Sequence, residues 1–225
     1  MFMEIGGYMK PLNEYIEHTL LKQDATKEQF LKLFEEAKEH KFFGVCVNPA
    51  YVKLAKENLD GSGVTIVTVV GFPLGASSSK VTAFEAKTAI EDGADEIDMV
   101  MNVSAMKDKN YDYIVEDIKT VKAACGSHKL KVILETDLLE KDEIKKASEL
   151  CVEAGADLVK TSTGFVKGGV GAKPEDVKIM HDTVAPHGLM VKASGGVRSK
   201  EEALAVIEAG ADRIGTSSGV KIVSE

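Results

Sequence analysis

Glu91-Asp92-Gly93-Ala94-Asp95, Glu153-Ala154-Gly155-Ala156-Asp157 and Glu208-Ala209-Gly210-Ala211-Asp212 are three variants of one short phrase, and each runs directly into an apolar stretch. The glycine stands where a helix C-terminus calls for a left-handed residue, so the phrase reads as a helix end followed by a strand start. Gly93 and Gly155 are 62 residues apart, and Gly155 and Gly210 are 55 apart. Either interval holds two strand-helix units of roughly 30 residues, the size a βα repeat requires.

Outward from these anchors, short apolar runs recur along the chain: Phe42 to Val47, Val64 to Val70, Glu96 to Met101, Leu130 to Glu135, Asp157 to Thr161, Leu189 to Ala193 and Arg213 to Thr216. Runs that are apolar on both faces and separated by helices indicate a parallel sheet covered on both sides. Ile16-Glu17-His18-Thr19-Leu20 supplies one more strand before the first helix, which makes eight. Thr26-Lys27-Glu28-Gln29 and Ser199-Lys200-Glu201-Glu202 are capping-box patterns that each open an amphipathic stretch. The expected architecture is a closed α/β barrel, the (β/α)8 TIM barrel, with an open doubly wound sheet as the weaker alternative. No linker or low-complexity segment divides the chain, so a single domain over 1–225 is expected.

Composition bounds the function. A chain of 225 residues with 44% hydrophobic and 28% charged residues is an ordinary globular protein. Its net charge of −8 argues against a nucleic acid or an anionic membrane surface as partner, so an anionic substrate must be held by local groups. Cys46, Cys125 and Cys151 are odd in number and show no CxxC spacing, which suggests neither a disulfide framework nor a zinc site. Met1 to Lys10 shows no targeting pattern, and no run of eighteen apolar residues occurs. Cytoplasmic localisation is the expectation.

Two lysines interrupt runs that otherwise read as buried strands, Leu158-Val159-Lys160-Thr161-Ser162-Thr163-Gly164 and Leu189-Met190-Val191-Lys192-Ala193-Ser194-Gly195-Gly196. They are 32 residues apart, about one strand-helix unit, so a parallel sheet sets them on adjacent strands at the same level. Ammonium groups are costly to desolvate. A lysine crowded by a second cation in a low-dielectric pocket gives up its proton more readily and becomes a nucleophilic amine. Lys160 shares a face with Ser162 and Lys192 with Ser194, while Val159, Val191 and Ala193 take the other face, so both lysines point inward. Each could instead snorkel to a carboxylate at the strand end. Asp98, at the centre of Glu96-Ile97-Asp98-Met99-Val100-Met101, is the third candidate, as a salt-bridge partner, a proton-transfer group or both.

Ser194-Gly195-Gly196-Val197 and Gly215-Thr216-Ser217-Ser218-Gly219 are small, hydroxyl-rich loops after the seventh and eighth strands, where barrels of this class frequently hold phosphate on backbone N–H groups. Gly164, Gly195, Gly196, Gly215, Ser217 and Ser218 are the candidate phosphate residues. The glycine-rich stretch Gly164 to Lys173 reads as a flap over the site or a plain surface loop. Cys46 reads as an apolar filler near the site. His18 is the only histidine in an expected strand, and without HxxxH or HxH spacing no metal centre is expected.

The chain also resembles a known family, the deoxyribose-phosphate aldolases of class I. The resemblance is carried by Ile16-Glu17-His18-Thr19-Leu20-Leu21-Lys22, Cys46-Val47-Asn48-Pro49, Val70-Gly71-Phe72-Pro73-Leu74-Gly75, Gly93 to Val100, Val159 to Phe165, Val191 to Arg198 and Arg213 to Ser218, which together cover nearly the whole chain. It implies reversible cleavage of 2-deoxy-D-ribose 5-phosphate to acetaldehyde and D-glyceraldehyde 3-phosphate, without metal or other cofactor, and a homodimer as the assembly. By motif, Lys160 matches the Schiff-base lysine, Lys192 its perturbing neighbour and Asp98 the proton-relay aspartate. Glu17 departs from the aspartate usual at its position and is given no catalytic role, and the chain ends at Glu225 without the tyrosine-ended tail of some members. Alternatives are another Schiff-base sugar-phosphate aldolase, a transaldolase, or a barrel that binds a sugar phosphate without turning it over.

Overall fold

The structure, a computed structural model, describes residues 10–225. Apart from Lys10, the segment read for a targeting signal lies outside the described residues. In chain order the elements are β1 (Ile16–Leu20), α1 (Lys27–Glu39), β2 (Gly44–Val47), α2 (Val52–Leu59), β3 (Thr65–Val70), α3 (Ser79–Glu91), β4 (Glu96–Val100), α4 (Val103–Lys107) and α5 (Tyr111–Cys125). They continue with β5 (Lys129–Ile133), α6 (Lys141–Glu153), β6 (Leu158–Lys160), α7 (Pro174–Val184), β7 (Met190–Ser194), α8 (Lys200–Glu208), β8 (Arg213–Thr216) and α9 (Gly219–Ser224). The eight strands are all parallel and close in sequence order, β8 pairing with β1. This is the expected (β/α)8 barrel.

The repeated phrase proves to be a joint with two working parts. At its glycine the helix ends in a Schellman turn: Ala94 N bonds Ala89 O and Gly93 N bonds Ile90 O, both at 3.0 Å, and the same pair of bonds recurs at Gly155 and Gly210. The aspartate then exchanges two bonds with the preceding strand. Asp95 N donates to Ile66 O and Ile66 N donates to Asp95 Oδ2, each at 2.7 Å. Asp157 does the same with Leu130, and Asp212 with Val191. Each joint therefore satisfies a backbone donor at the bottom of the sheet and fixes one parallel register. Asp95→Ala leaves the Ile66 amide unpaired and is expected to cost about 1–3 kcal/mol in urea unfolding; a loss below about 0.5 kcal/mol, the scatter of surface changes, would show the joint to be dispensable.

Capping boxes close the N-termini of α1 at Thr26 and α8 at Ser199 as expected, and a third, built on Glu140 and Glu143, opens α6. Side chains on the outer face of the strands, such as Val45, Ile97, Val132, Val159 and Val191, join the helices in one large core. His18 belongs to that outer face, its Nε2 2.8 Å from Glu36 Oε2 on α1. The inner face is different. It holds a small apolar cluster of Leu21, Cys46, Val67 and Val69 beside a set of buried charges.

Candidate active site

Lys160 ends β6, and Lys192 lies directly opposite it on β7. Both side chains turn into the barrel, as their parity predicts, and their ammonium groups meet on one atom. Lys160 Nζ donates to Asp98 Oδ2 at 2.9 Å, and Lys192 Nζ donates to the same oxygen at 2.7 Å. The sequence suggests two cations crowding each other; the structure adds a third and balances all of them. Lys131, on β5 opposite Asp98, donates to Asp98 Oδ1 at 2.9 Å and lies 2.6 Å from Glu96 Oε2. Lys192 donates also to Glu17 Oε2, whose partner oxygen is 3.7 Å from Lys131 Nζ. The interior thus carries the ammoniums of Lys131, Lys160 and Lys192 against the carboxylates of Glu17, Glu96 and Asp98, all of them buried.

Electrostatics assigns proton states to this cluster. Burial alone would push the Asp98 carboxyl up, but Lys131, then Lys160 and Lys192, outweigh it and hold Asp98 well below the usual carboxylate range. Burial likewise opposes the charge on Lys192, yet Asp98 and Glu17 raise it above an ordinary lysine. At neutral pH Asp98 is therefore an acceptor and Lys192 a proton donor. Burial pushes the Cys46 thiol up against the pull of Lys192 and Lys160, so Cys46 is a neutral filler facing the site.

A cavity of about 290 Å³ opens at the C-terminal ends of β1, β6, β7 and β8, where barrel sites lie. Of the six residues of this charge cluster, only Lys160 lines it. Gly164, Gly195, Gly196, Gly215 and Ser217 line it too. Ser218 does not: it lies one residue past the wall, and its N–H is donated to Thr216 Oγ1 at 2.9 Å. Gly215 is there for space, since a Cβ would sit 3.0 Å from Lys192 Cε.

The stretch from Gly164 to Lys173, read as a flap or a plain surface loop, is lashed to the loops on either side of it, after β5 and after β7. Val170 N and Gly171 N donate to the two Asp137 carboxylate oxygens at 3.1 and 2.8 Å, and Ala172 N donates to Gly195 O at 3.0 Å. Glu135, expected to end a strand, instead takes left-handed backbone angles (φ 61, ψ 61). A residue other than glycine adopts these at a cost, and only where its surroundings hold it. Here the hold is a carboxylate that accepts from Thr163 N at 3.0 Å and from the Thr163 hydroxyl.

Sequence reasoning missed Lys131, Glu96, Glu135 and Asp137, and also Arg198 and Lys22 on the cavity wall, and it noticed Glu17 but gave it no role. Lys131 carried the signal that picked out the other two lysines, a cation inside an apolar strand. The arrangement is that of a barrel enzyme, with buried ionisable groups presented to a pocket at the strand ends.

Comparison with known proteins sharpens this class. Residues 14–225 match the family described as DeoC/LacD family aldolase. Deoxyribose-phosphate aldolase of Finegoldia magna is 60% identical over 212 residues, 94% of this chain and 98% of that one. The enzyme of the same name from Clostridium novyi is 59% identical over 213 residues, 94% of this chain and 95% of that one. Among solved structures, the tetrameric deoxyribose phosphate aldolase of Aeropyrum pernix superposes with a TM-score of 0.86 at 34% identity, covering 95% of this chain and 89% of that one. The chain belongs to the DeoC/LacD family of aldolases.

Proposed function

We propose that the protein reversibly cleaves 2-deoxy-D-ribose 5-phosphate into acetaldehyde and D-glyceraldehyde 3-phosphate through a Schiff base on Lys160. One observation carries the choice of nucleophile: of three buried lysines, Lys160 alone faces the cavity. Its ammonium releases a proton through Asp98 Oδ2, which is held too acidic to keep it and passes it on to solvent, and the neutral amine attacks the C1 aldehyde. Protonated by the Lys192–Asp98 pair, the carbinolamine hydroxyl leaves as water and an iminium remains. The C3 hydroxyl then returns a proton to the Lys192–Asp98 pair, the C2–C3 electron pair flows into the iminium, and D-glyceraldehyde 3-phosphate departs. Protonation of the enamine at C2 and hydrolysis release acetaldehyde and restore the lysine.

The phosphate sits on the backbone of Gly195 and Gly196 and beside Gly164, Gly215 and Ser217, with Ser218 shaping the turn behind them. Arg198 and Lys22 supply the positive charge that the protein as a whole, at −8, does not. The test is reduction with borohydride in the presence of acetaldehyde, followed by peptide mass analysis. A two-carbon adduct on Lys160 is expected; an unlabelled protein, or label confined to Lys22, sinks the reading. Turnover of fructose 1,6-bisphosphate with none of deoxyribose 5-phosphate would move the protein to another Schiff-base aldolase.

Phosphate and aldehyde recognition separate in one variant. Gly171 has φ +85, and a Cβ there would lie 2.4 Å from the carbonyl carbon of Gly195. Gly171→Ala must displace the Gly195 loop, so KM for deoxyribose 5-phosphate is expected to rise about tenfold, equivalent to about 1.4 kcal/mol of binding. Acetaldehyde trapping on Lys160, which needs no phosphate, stays near wild type; steady-state kinetics and trapping rates check the pair.

The same proposal places the protein as a single-domain homodimer in a reducing cytoplasm. Its three cysteines are free and buried. Leu74, Val81 and Phe84, on α3 and the loop before it, are 76%, 57% and 72% exposed and form the apolar face that association would cover. Among the described residues no helix is long and apolar enough to cross a membrane. Sedimentation equilibrium gives the assembly directly, and a monomer at micromolar concentration removes the dimer.

A further inference from the structure

We propose that Lys131 is a positioning residue for the aldol reaction, holding Asp98 so that a single carboxylate oxygen serves both Lys160 and Lys192. The proposal rests on the reading of Lys160 as the Schiff-base lysine. Lys131 is fully buried, does not line the substrate cavity and touches no reacting atom. Its place in the network is nonetheless specific. It occupies Oδ1 of Asp98 from β5, while β6 and β7 both reach Oδ2.

A carboxylate turns about a broad, roughly two-fold terminal torsion. With Oδ1 free, Asp98 would relax to give one oxygen to each of Lys160 and Lys192, and the short proton path between them through Oδ2 would be lost. Lys131 removes that option by claiming Oδ1. The plain rival is that Lys131 only neutralises Glu96, which lines a cavity of about 610 Å³ at the opposite, N-terminal end of β3, β4 and β5. Both accounts explain why the lysine is there, but they part when the two charges are removed together.

Lys131→Met/Glu96→Gln deletes one ammonium and one carboxylate charge and leaves the interior balanced. If Lys131 positions Asp98, the double variant folds but its kcat stays down about tenfold with KM within about twofold, the pattern of a lost transition-state interaction. The pH profile moves as well. The charged and titratable groups around Asp98 are Lys131 on β5, Lys160 on β6, Lys192 on β7, Glu17 on β1, Cys46 on β2 and, across Lys131, Glu96 on β4, a weaker opposing influence that the double variant also removes. Without Lys131 the carboxyl of Asp98 titrates at higher pH, so activity on the acid side is lost at a higher pH than in the wild type. Wild-type kcat and pH profile in the double variant overturn the proposal, as does a rise in KM with an unmoved profile.

Lys131→Gln/Glu96→Gln is the second arm, serving also if the methionine variant folds poorly in circular dichroism. Its amide can donate to Oδ1 without charge, and positioning predicts a kcat above that of a charge-only loss, recovering severalfold toward wild type. A glutamine pair as inactive as a Lys160 variant, or one with methionine-like kinetics, overturns the proposal. Failure of the underlying reading looks different: the wild type itself would then show no acetaldehyde adduct on Lys160.

Discussion

Lys160→Leu is expected to lower kcat for deoxyribose 5-phosphate cleavage by about 10⁴-fold or more, which at 1.36 kcal/mol per decade is over 5 kcal/mol of barrier. The reason is the absence of a substitute. Lys131 and Lys192 are sealed in the interior, and Lys22, the other lysine on the cavity wall, has no carboxylate partner among the buried charges that could take its proton. The covalent route closes, and what remains is binding. KM therefore changes little, because the glycine loops and Arg198 are untouched. The fold is expected to survive at a cost of about 3–5 kcal/mol: Asp98 keeps Lys131 on one oxygen and Lys192 on the other, but the buried cluster is left one ammonium short. Steady-state kinetics with thermal melting check both halves. Residual activity above about a hundredth of wild type in a fully folded variant would reassign the nucleophile.

That Lys160, the proposed nucleophile, stood out in the sequence, while most of its surroundings did not, has a physical origin. The Gly-Ala-Asp joints and the parity of Lys160 and Lys192 are local. A left-handed helix end demands glycine, and a strand with period two fixes which face a lysine takes. The counter-charges depend on closure. Glu17 and Lys192 are 175 positions apart in the chain and meet only because β8 pairs with β1. Lys131 was legible in principle, but Lys129-Leu130-Lys131-Val132-Ile133 alternates like a strand with one wet face, and only the closed barrel turns that face inward. Ser218 stands off the cavity wall for a smaller reason: Thr216 Oγ1 takes its N–H as the chain turns into α9. Glu135 was hidden because an αL carboxylate after an apolar run has no signature that separates it from a strand end.

Lys192→Leu is expected to damage the protein twice, and the two injuries can be told apart. Catalysis loses the proton donor beside Lys160, which lowers kcat about 10²- to 10³-fold, the range for a positioned acid–base group. Stability falls by about 3–5 kcal/mol, because Glu17 and Asp98 are left as buried charges without their shared ammonium. Lys192→Leu/Glu17→Gln removes the excess charge and regains much of the stability without regaining the rate. The pH dependence gives an independent sign. In the wild type Asp98 is depressed and Lys192 raised, so their contribution is whole between about pH 4 and pH 10, lost only as pH falls through the folded value of Asp98 or rises through that of Lys192. In the leucine variant the surplus carboxylate charge is relieved by a proton bound more tightly in the folded state than in the unfolded one. Its stability relative to wild type therefore improves as pH falls from about 7 to about 5. Urea titrations across that window decide the matter: a gap between the two proteins that stays constant, or widens toward acid, would mean that Lys192 was never neutralising the carboxylates it touches.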